Sequence, residues 1–267
     1  MKLLIVEGNN EEARAQRDAV GLKPYHLIFK EMVHFLWPDV QTEIVFPADG
    51  SKDLPTAIQL TKYDGILWTG SALSVMDDIP SVTDQLNFAE TIFESGTPLY
   101  GSCWGLQVAA TVAGGEVARG KKGLEFGLAK DITLTTAGSK SSFFSKRKSG
   151  YTALCIHYDE VVKTPKNAVV LAYNAHSKIQ ALVFDYKKSS FFGVQYHPEF
   201  KASHMVLITS LLSKNLIKSG RFASESEAKE FAIRLSEEKD LPQEIINYQL
   251  HTQEVKAWLE YISANRN

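Results

Sequence analysis

Pro98-Leu99-Tyr100-Gly101-Ser102-Cys103-Trp104-Gly105-Leu106-Gln107 is the stretch on which the reading of this chain turns. A short apolar run that ends in Gly-x-Cys-x-Gly and continues into helix-forming residues reads as strand, sharp turn and helix. Such an elbow lifts its central side chain to the top of a sheet. Glycines flank it because the backbone there crowds its neighbours. The helix starting at Trp104 aims its first N–H groups and its positive end at the sulfur, which favours a thiolate and offers donors to an oxyanion. A free cysteine is as readily a small buried hydrophobe, and the elbow alone leaves both readings open.

Gly193-Val194-Gln195-Tyr196-His197-Pro198-Glu199-Phe200 lies 197 − 103 = 94 positions downstream. Here an apolar strand delivers a histidine and, two residues later, a carboxylate. A cysteine nucleophile needs a base that takes its proton and returns one to the leaving amine, and the base needs an acceptor that fixes its tautomer. His197 and Glu199 can supply both, and together with the elbow they form a specific pair of signals.

Outward from these segments, the first half alternates strands with helices. Lys2 to Val6 reads as a strand, His26 to Trp37 as a helix, Thr42 to Phe46 as a strand, Gly65 to Trp68 as a strand, Val82 to Glu94 as a helix and Thr97 to Tyr100 as a buried strand. That alternation predicts an α/β fold with a mostly parallel sheet covered on both faces. From Glu116 to Val194 the texture turns β-rich, with runs such as Ile132 to Thr135, Val169 to Ala172 and Ala181 to Phe184. Gly138 to Gly150, rich in Ser, Lys and Arg, reads as a solvated loop anchored by Phe143 and Phe144, with no function assigned to its charges. After Glu199 the pattern is helical, and apolar stripes at Phe231, Leu235, Val255, Trp258, Leu259 and Ile262 predict packing in cis against the parent domain. The expected division is a domain over 1–220 and a helical extension over 221–267.

The 267 residues are 44% hydrophobic and 22% charged, a globular composition, and the formal charge of −2 gives no general attraction to nucleic acid or anionic lipid. No apolar run approaches the roughly 20 residues of a membrane span, and Met1-Lys2 leads straight into a strand without a secretory leader. The chain is therefore expected in the cytoplasm, where Cys103 and Cys155 stay reduced. Cys155, in a strand-like run, reads as structural. Gly115 to Lys122 fits a phosphate-binding loop until Lys122 stands where Ser or Thr would hold Mg²⁺, and it follows a helix instead of joining strand to helix, so ATP binding is rejected. His157 and Asp159 with His197 and Glu199 lack a third zinc-type ligand nearby, so no metal and no cofactor are expected. His26, His34, His176, His204 and His251 have no neighbours that single them out.

The chain resembles the class I glutamine amidotransferase family over about residues 1 to 215. The resemblance rests on the elbow, the His-Pro-Glu, and matches in order between them: Trp68-Thr69-Gly70-Ser71 for the oxyanion loop, Gly123-Leu124-Glu125-Phe126-Gly127, His157-Tyr158-Asp159-Glu160-Val161, and Ala172-Tyr173-Asn174 to Gln180-Ala181. It implies a doubly wound sheet, Cys103 as nucleophile, His197 as base and acid, and Glu199 as orienter. The N–H groups of Gly70 and Trp104 would form the oxyanion hole, and Ser71, Gln107, His157 and Tyr158 would meet the substrate. Where the family has Gly-Gly-Pro, this chain has Thr69-Gly70-Ser71-Ala72.

The implied reaction is hydrolysis of the glutamine γ-carboxamide, with ammonia released or passed to a separate synthase subunit. The chain looks like the amidotransferase part of GMP synthase, without that enzyme's Ser-Gly-Gly-x-Asp pyrophosphatase loop. A γ-glutamyl-peptide hydrolase of the same fold and a non-enzymatic binding module are the alternatives, and the intact Cys103, His197 and Glu199 argue against the last. The expected partners are glutamine or a γ-glutamyl small molecule, a second copy in a homodimer, and the separate synthase.

Overall fold

A computed structural model describes residues 1–238 and 241–265. Residues 239–240 and 266–267 of the expected extension lie outside the described residues. The chain opens with β1 (Lys2–Val6), α1 (Glu11–Asp18), α2 (Tyr25–Leu36), β2 (Gln41–Val45), α3 (Ala57–Leu60), β3 (Gly65–Trp68), α4 (Pro80–Ser95), β4 (Leu99–Ser102) and α5 (Trp104–Val112). Its middle holds β5 (Glu116–Arg119), β6 (Glu125–Leu134), α6 (Thr136–Lys140), β7 (Tyr151–His157), β8 (Asp159–Lys163), β9 (Val169–Tyr173), β10 (Ala181–Tyr186) and β11 (Ser189–Val194). The remainder is helical: α7 (Ala202–Lys218), α8 (Glu225–Glu237), α9 (Gln243–Ile246), α10 (Tyr248–His251) and α11 (Gln253–Ala264).

Among the described residues one sheet runs β2-β1-β3-β4-β11-β10-β9-β6-β7. Its first five strands are mutually parallel and its last four antiparallel. A second, two-stranded sheet pairs β5 with β8. The alternating first half and the β-rich middle of the sequence thus become the two halves of the main sheet. Buried continuous runs such as Leu3-Leu4-Ile5-Val6 are what a parallel strand covered on both faces requires. Leu3 and Ile5 face one core with Phe29 and Met32 of α2, and Leu4 and Val6 face the other with Phe88 of α4 and Leu106 of α5.

Helix limits follow local chemistry. α1 begins where the Asn10 side chain accepts from the Ala13 N–H, α4 begins at Pro80 and stops at Gly96 with φ 83°, and α8 begins where Ser224 accepts from Glu227.

The tail joins the main core. Val255, Trp258, Leu259 and Ile262 of α11 are buried in one cluster with Leu3, Ile5 and Tyr100, and the Trp258 ring lies 5.7 Å from that of Tyr100. At ~1.5–3 kcal/mol per buried large apolar side chain, these four hold the tail firmly.

Gly138 to Gly150 departs from a solvated loop. It contains the end of α6, Phe143 stacks on Phe192 at 4.2 Å, and Arg147 is buried beside Glu254. The apolar anchor was legible in the sequence. The buried cation was not, because its partner stands 107 positions away.

Candidate active site

The parallel strands β1, β3, β4 and β11 lie side by side, and their C-terminal ends deliver Gly8 and Asn9, Gly70, Cys103 and His197 to one rim of the sheet. Cys103 joins β4 to α5 with φ 49° and ψ −101°, a strained conformation for a residue bearing a side chain. The turn closes only without side chains around it: a Cβ on Gly101 would stand 2.5 Å from the backbone carbon of Gly105. The Cys103 N–H donates to Val194 O at 2.8 Å, tying the elbow to β11, and the thiol points at Ile156 O at 3.6 Å.

His197 and Glu199 follow β11, the neighbour of β4. Both are buried, and His197 Nδ1 lies 2.6 Å from Glu199 Oε1. Ser102 Oγ, beside the nucleophile, donates to the same carboxylate at 3.3 Å. The imidazole stacks on Phe200 at 4.3 Å and 8°, with the Tyr25 ring 6.0 Å away. Its Nε2 has no well-directed hydrogen-bond partner among the described residues. Burial alone would push this imidazole down, but Glu199 and the Cys103 sulfur both favour its charged form and hold its pKa well above the usual value. A carboxylate-oriented histidine with one nitrogen unengaged beside a thiol is able to shuttle a proton.

Gly70 packs directly on this ring: a Cβ there would stand 2.9 Å from His197 Cε1. Its N–H makes no backbone or side-chain hydrogen bond among those described, and the Trp104 N–H opens α5 with no earlier turn to accept it. In place of Gly-Gly-Pro, the loop is held by side chains. Thr69 Oγ1 accepts from the Gly8 N–H and donates to Gly70 O, each at 2.9 Å, Ser71 Oγ donates to Gly8 O at 2.8 Å, and Asn9 Oδ1 accepts from the Ala72 N–H at 2.8 Å.

The structure therefore brings Cys103, His197, Glu199, Gly70 and Trp104 together. The four residues expected at the substrate are placed differently. Gln107, one turn along α5, donates to Asp159 O at 2.8 Å and to Gln195 Oε1 at 3.4 Å. The Ser71 hydroxyl is committed to Gly8. The His157 ring turns to Glu125, with Nε2 2.8 Å from Oε2, and the Tyr158 ring lies under Arg119 at 4.0 Å. What β7 offers the site is backbone: Ile156 O, beside the thiol.

Several supporting residues escaped the sequence reading. Gln85, buried in α4, accepts from Trp104 Nε1 at 2.8 Å and donates to Gly8 O at 3.2 Å, so it braces the elbow helix against the loop after β1. Glu125 gathers His157, Asn174 at 2.7 Å and Gln180 at 2.9 Å, and although burial pushes its carboxyl up, these donors keep it below the usual range. Tyr25 lines the rim beside Gly70 and His197. The one signal that could have found Gly8 and Asn9 is their place after a fully buried strand, at the end of a parallel sheet where ligands bind. Among the described residues no group of three or more His, Cys, Asp or Glu is arranged to hold a metal ion, and no helix is long and apolar enough to cross a membrane.

Comparison with known proteins places this rim in context. The profile of the family Glutamine amidotransferase class-I matches residues 31–219. A gamma-glutamyl-L-1-hydroxyisopropylamide hydrolase of a Pseudomonas species is 35% identical over 226 residues, covering 83% of this chain and 75% of that protein. The glutamine-hydrolyzing component of the GMP synthase of Sulfolobus acidocaldarius is 33% identical over 144 residues, 54% of this chain and 71% of that protein. The crystal structure of a glutamine amidotransferase from Thermotoga maritima shares the fold with a TM-score of 0.69 at 18% identity, over 98% of this chain and 97% of that one.

Proposed function

This chain belongs to the class I glutamine amidotransferase family and is an enzyme of that family, and on that premise we propose that Cys103, His197 and Glu199 hydrolyse a γ-glutamyl amide, glutamine first among them. The observation that carries the reading is the buried His197 imidazole, bound through Nδ1 to Glu199 and left with Nε2 unengaged beside the strained Cys103.

In this reaction the thiol proton passes to His197 Nε2 and the sulfur attacks the γ-carbonyl carbon. The C–S bond forms as the carbonyl electrons move to oxygen, where the N–H groups of Gly70 and Trp104 receive the charge. On collapse His197 gives its proton to the leaving nitrogen, the C–N bond breaks and ammonia departs, leaving a γ-glutamyl thioester. Water, deprotonated by His197, then attacks the thioester carbon. The C–S bond breaks, releasing glutamate and regenerating the thiol. Ammonia would be freed or passed to a separate synthase chain, as the likeness to a GMP synthase component suggests. The two unpaired cysteines suit the reducing cytoplasm.

A second reading, in which a larger amine leaves from a γ-glutamyl amide or peptide, is favoured by the likeness to the Pseudomonas hydrolase. The width of the leaving-group side separates the two. Steady-state assays of the full chain on glutamine and on a γ-glutamyl dipeptide decide between them, with Cys103→Ala as the inactive reference. A glutamine-analogue electrophile such as diazo-oxo-norleucine should modify Cys103. Burial pushes the Cys155 thiol far above its ordinary pKa, which keeps it inert. Modification of Cys155 instead, or an active Cys103→Ala, would remove the assignment.

A further inference from the structure

The segment bearing His197 and Glu199 belongs to neither β11 nor α7, and regular structure does not fix it. Three side chains of the C-terminal helices reach it. The Tyr248 hydroxyl donates to Glu199 O at 2.9 Å. His251 Nε2 lies 3.2 Å from His197 O, and since a carbonyl only accepts, that nitrogen carries the proton. Glu254 Oε1 accepts from the Tyr196 hydroxyl at 2.5 Å, while Oε2 takes Arg147 at the same distance. Arg147 in turn donates to His251 O at 3.2 Å, and Tyr151 and Tyr196 share a hydroxyl contact of 2.9 Å.

Adhesion of the tail does not explain this polar chain. Val255, Trp258, Leu259 and Ile262 already hold the tail by apolar burial. A buried ion pair adds little to stability beyond what apolar residues of the same size would give. Hydrogen bonds, unlike apolar contacts, have direction, and those from Tyr248, His251 and Glu254 converge on three residues of one segment. These side chains also lie beyond residue 219, where the family profile ends.

We propose that Tyr248, His251 and Glu254 are positioning residues, through which the C-terminal helices hold the Tyr196–Glu199 segment in register with the Cys103 elbow. The proposal rests on the reading of Cys103, His197 and Glu199 given above. His251 suits the task because burial, followed by the Arg147 charge, pulls its pKa down to about 3, so it stays neutral with a fixed donor.

The test uses the full chain and compares Tyr248→Phe, His251→Leu and His251→Gln for kcat, KM and melting temperature. Tyr248→Phe and His251→Leu should each lower kcat by about five- to tenfold, the worth of one neutral hydrogen bond, with KM changed less than about twofold. His251→Gln, whose amide nitrogen reaches the place of Nε2, should recover most of the loss. The proposal is overturned if kcat falls only in proportion to the folded fraction, or if the Leu and Gln variants are equally impaired. His197→Asn run alongside separates the two levels. Near-normal turnover there sinks the base assignment and this proposal with it, whereas an inactive His197→Asn beside tail variants of unchanged kcat sinks the positioning role alone.

Discussion

Two histidine–carboxylate pairs stand at strand ends near the elbow, His197 with Glu199 and His157 with Glu125, and both are buried. Their residue types are the same and their contacts are equally close, at 2.6 Å and 2.8 Å. The difference lies in the other nitrogen. Nε2 of His197 has no well-directed partner, while Nδ1 of His157 is 3.2 Å from Asp159 O. The carboxylates differ as well: Glu125 is gripped by Asn174 and Gln180 besides its histidine, whereas Glu199 takes only the weaker contact from Ser102. A pair with one nitrogen to spare can move a proton, and a pair with none is framework. Counting histidines near carboxylates in a sequence cannot separate the two.

The contrast is broken or sharpened first by the largest effect. His197→Asn should lower kcat by about 10³-fold or more, and Glu199→Gln by less, because the orienter of a triad contributes less than the base. Parallel kinetics on the two variants check the order, and a Glu199 variant worse than the His197 variant would reverse the roles. Next come His157→Gln and Glu125→Gln. These should keep kcat within about tenfold of the parent while lowering the melting temperature by about 2–10 °C, as loss of a buried hydrogen-bond network implies for a chain of this size. Calorimetry with activity measured well below the transition tests this. If His157→Gln were as inactive as His197→Asn, the contrast would be lost.

The smallest effect is electrostatic. The unfolded chain would protonate His251 near its ordinary value, whereas the folded chain resists until about pH 3. Between those limits the unfolded state binds more protons, so this histidine makes stability rise with pH and withdraws it as pH falls. His197 acts in the opposite sense and in another window: its raised folded pKa contributes stability that is present at low pH and lost as pH rises above its usual range. Urea midpoints measured from pH 4 to 6.5 should slope upward in the parent and less steeply in His251→Gln. An unchanged slope would assign the dependence to other groups.

The catalytic side of the molecule was legible because its signals are local. Gly101 to Gly105 announces an elbow within five residues, and His197 and Glu199 sit two apart after an apolar strand. Strand and helix limits in the first half came within about two residues for the same reason: α2 was expected over His26 to Trp37 and found at Tyr25–Leu36. What escaped was long-range polar pairing. Arg147 reads as part of a solvated basic stretch until Glu254 is seen beside it, and His251 looks undistinguished until its contact with His197 O, 54 positions away, appears. Gln85 in α4 carried no signal either, since a buried glutamine bracing two tryptophans differs in sequence from any surface glutamine only by the ring nitrogens it meets. Apolar periodicity reports that a face is buried. It does not report which polar group is buried with it.

The place of β11 in the sheet, between β4 and β10, has a consequence in time. The nucleophile and its base ride on adjacent strands, yet they are 94 residues apart along the chain. At a synthesis rate of about 5–20 residues per second, the thiol leaves the ribosome roughly 5–20 s before the histidine does. During that interval the nascent chain carries an elbow cysteine with no proton acceptor and no strand beside β4 to close the rim. The order of the strands therefore works as a delay line, in which a reactive group is made early and armed late.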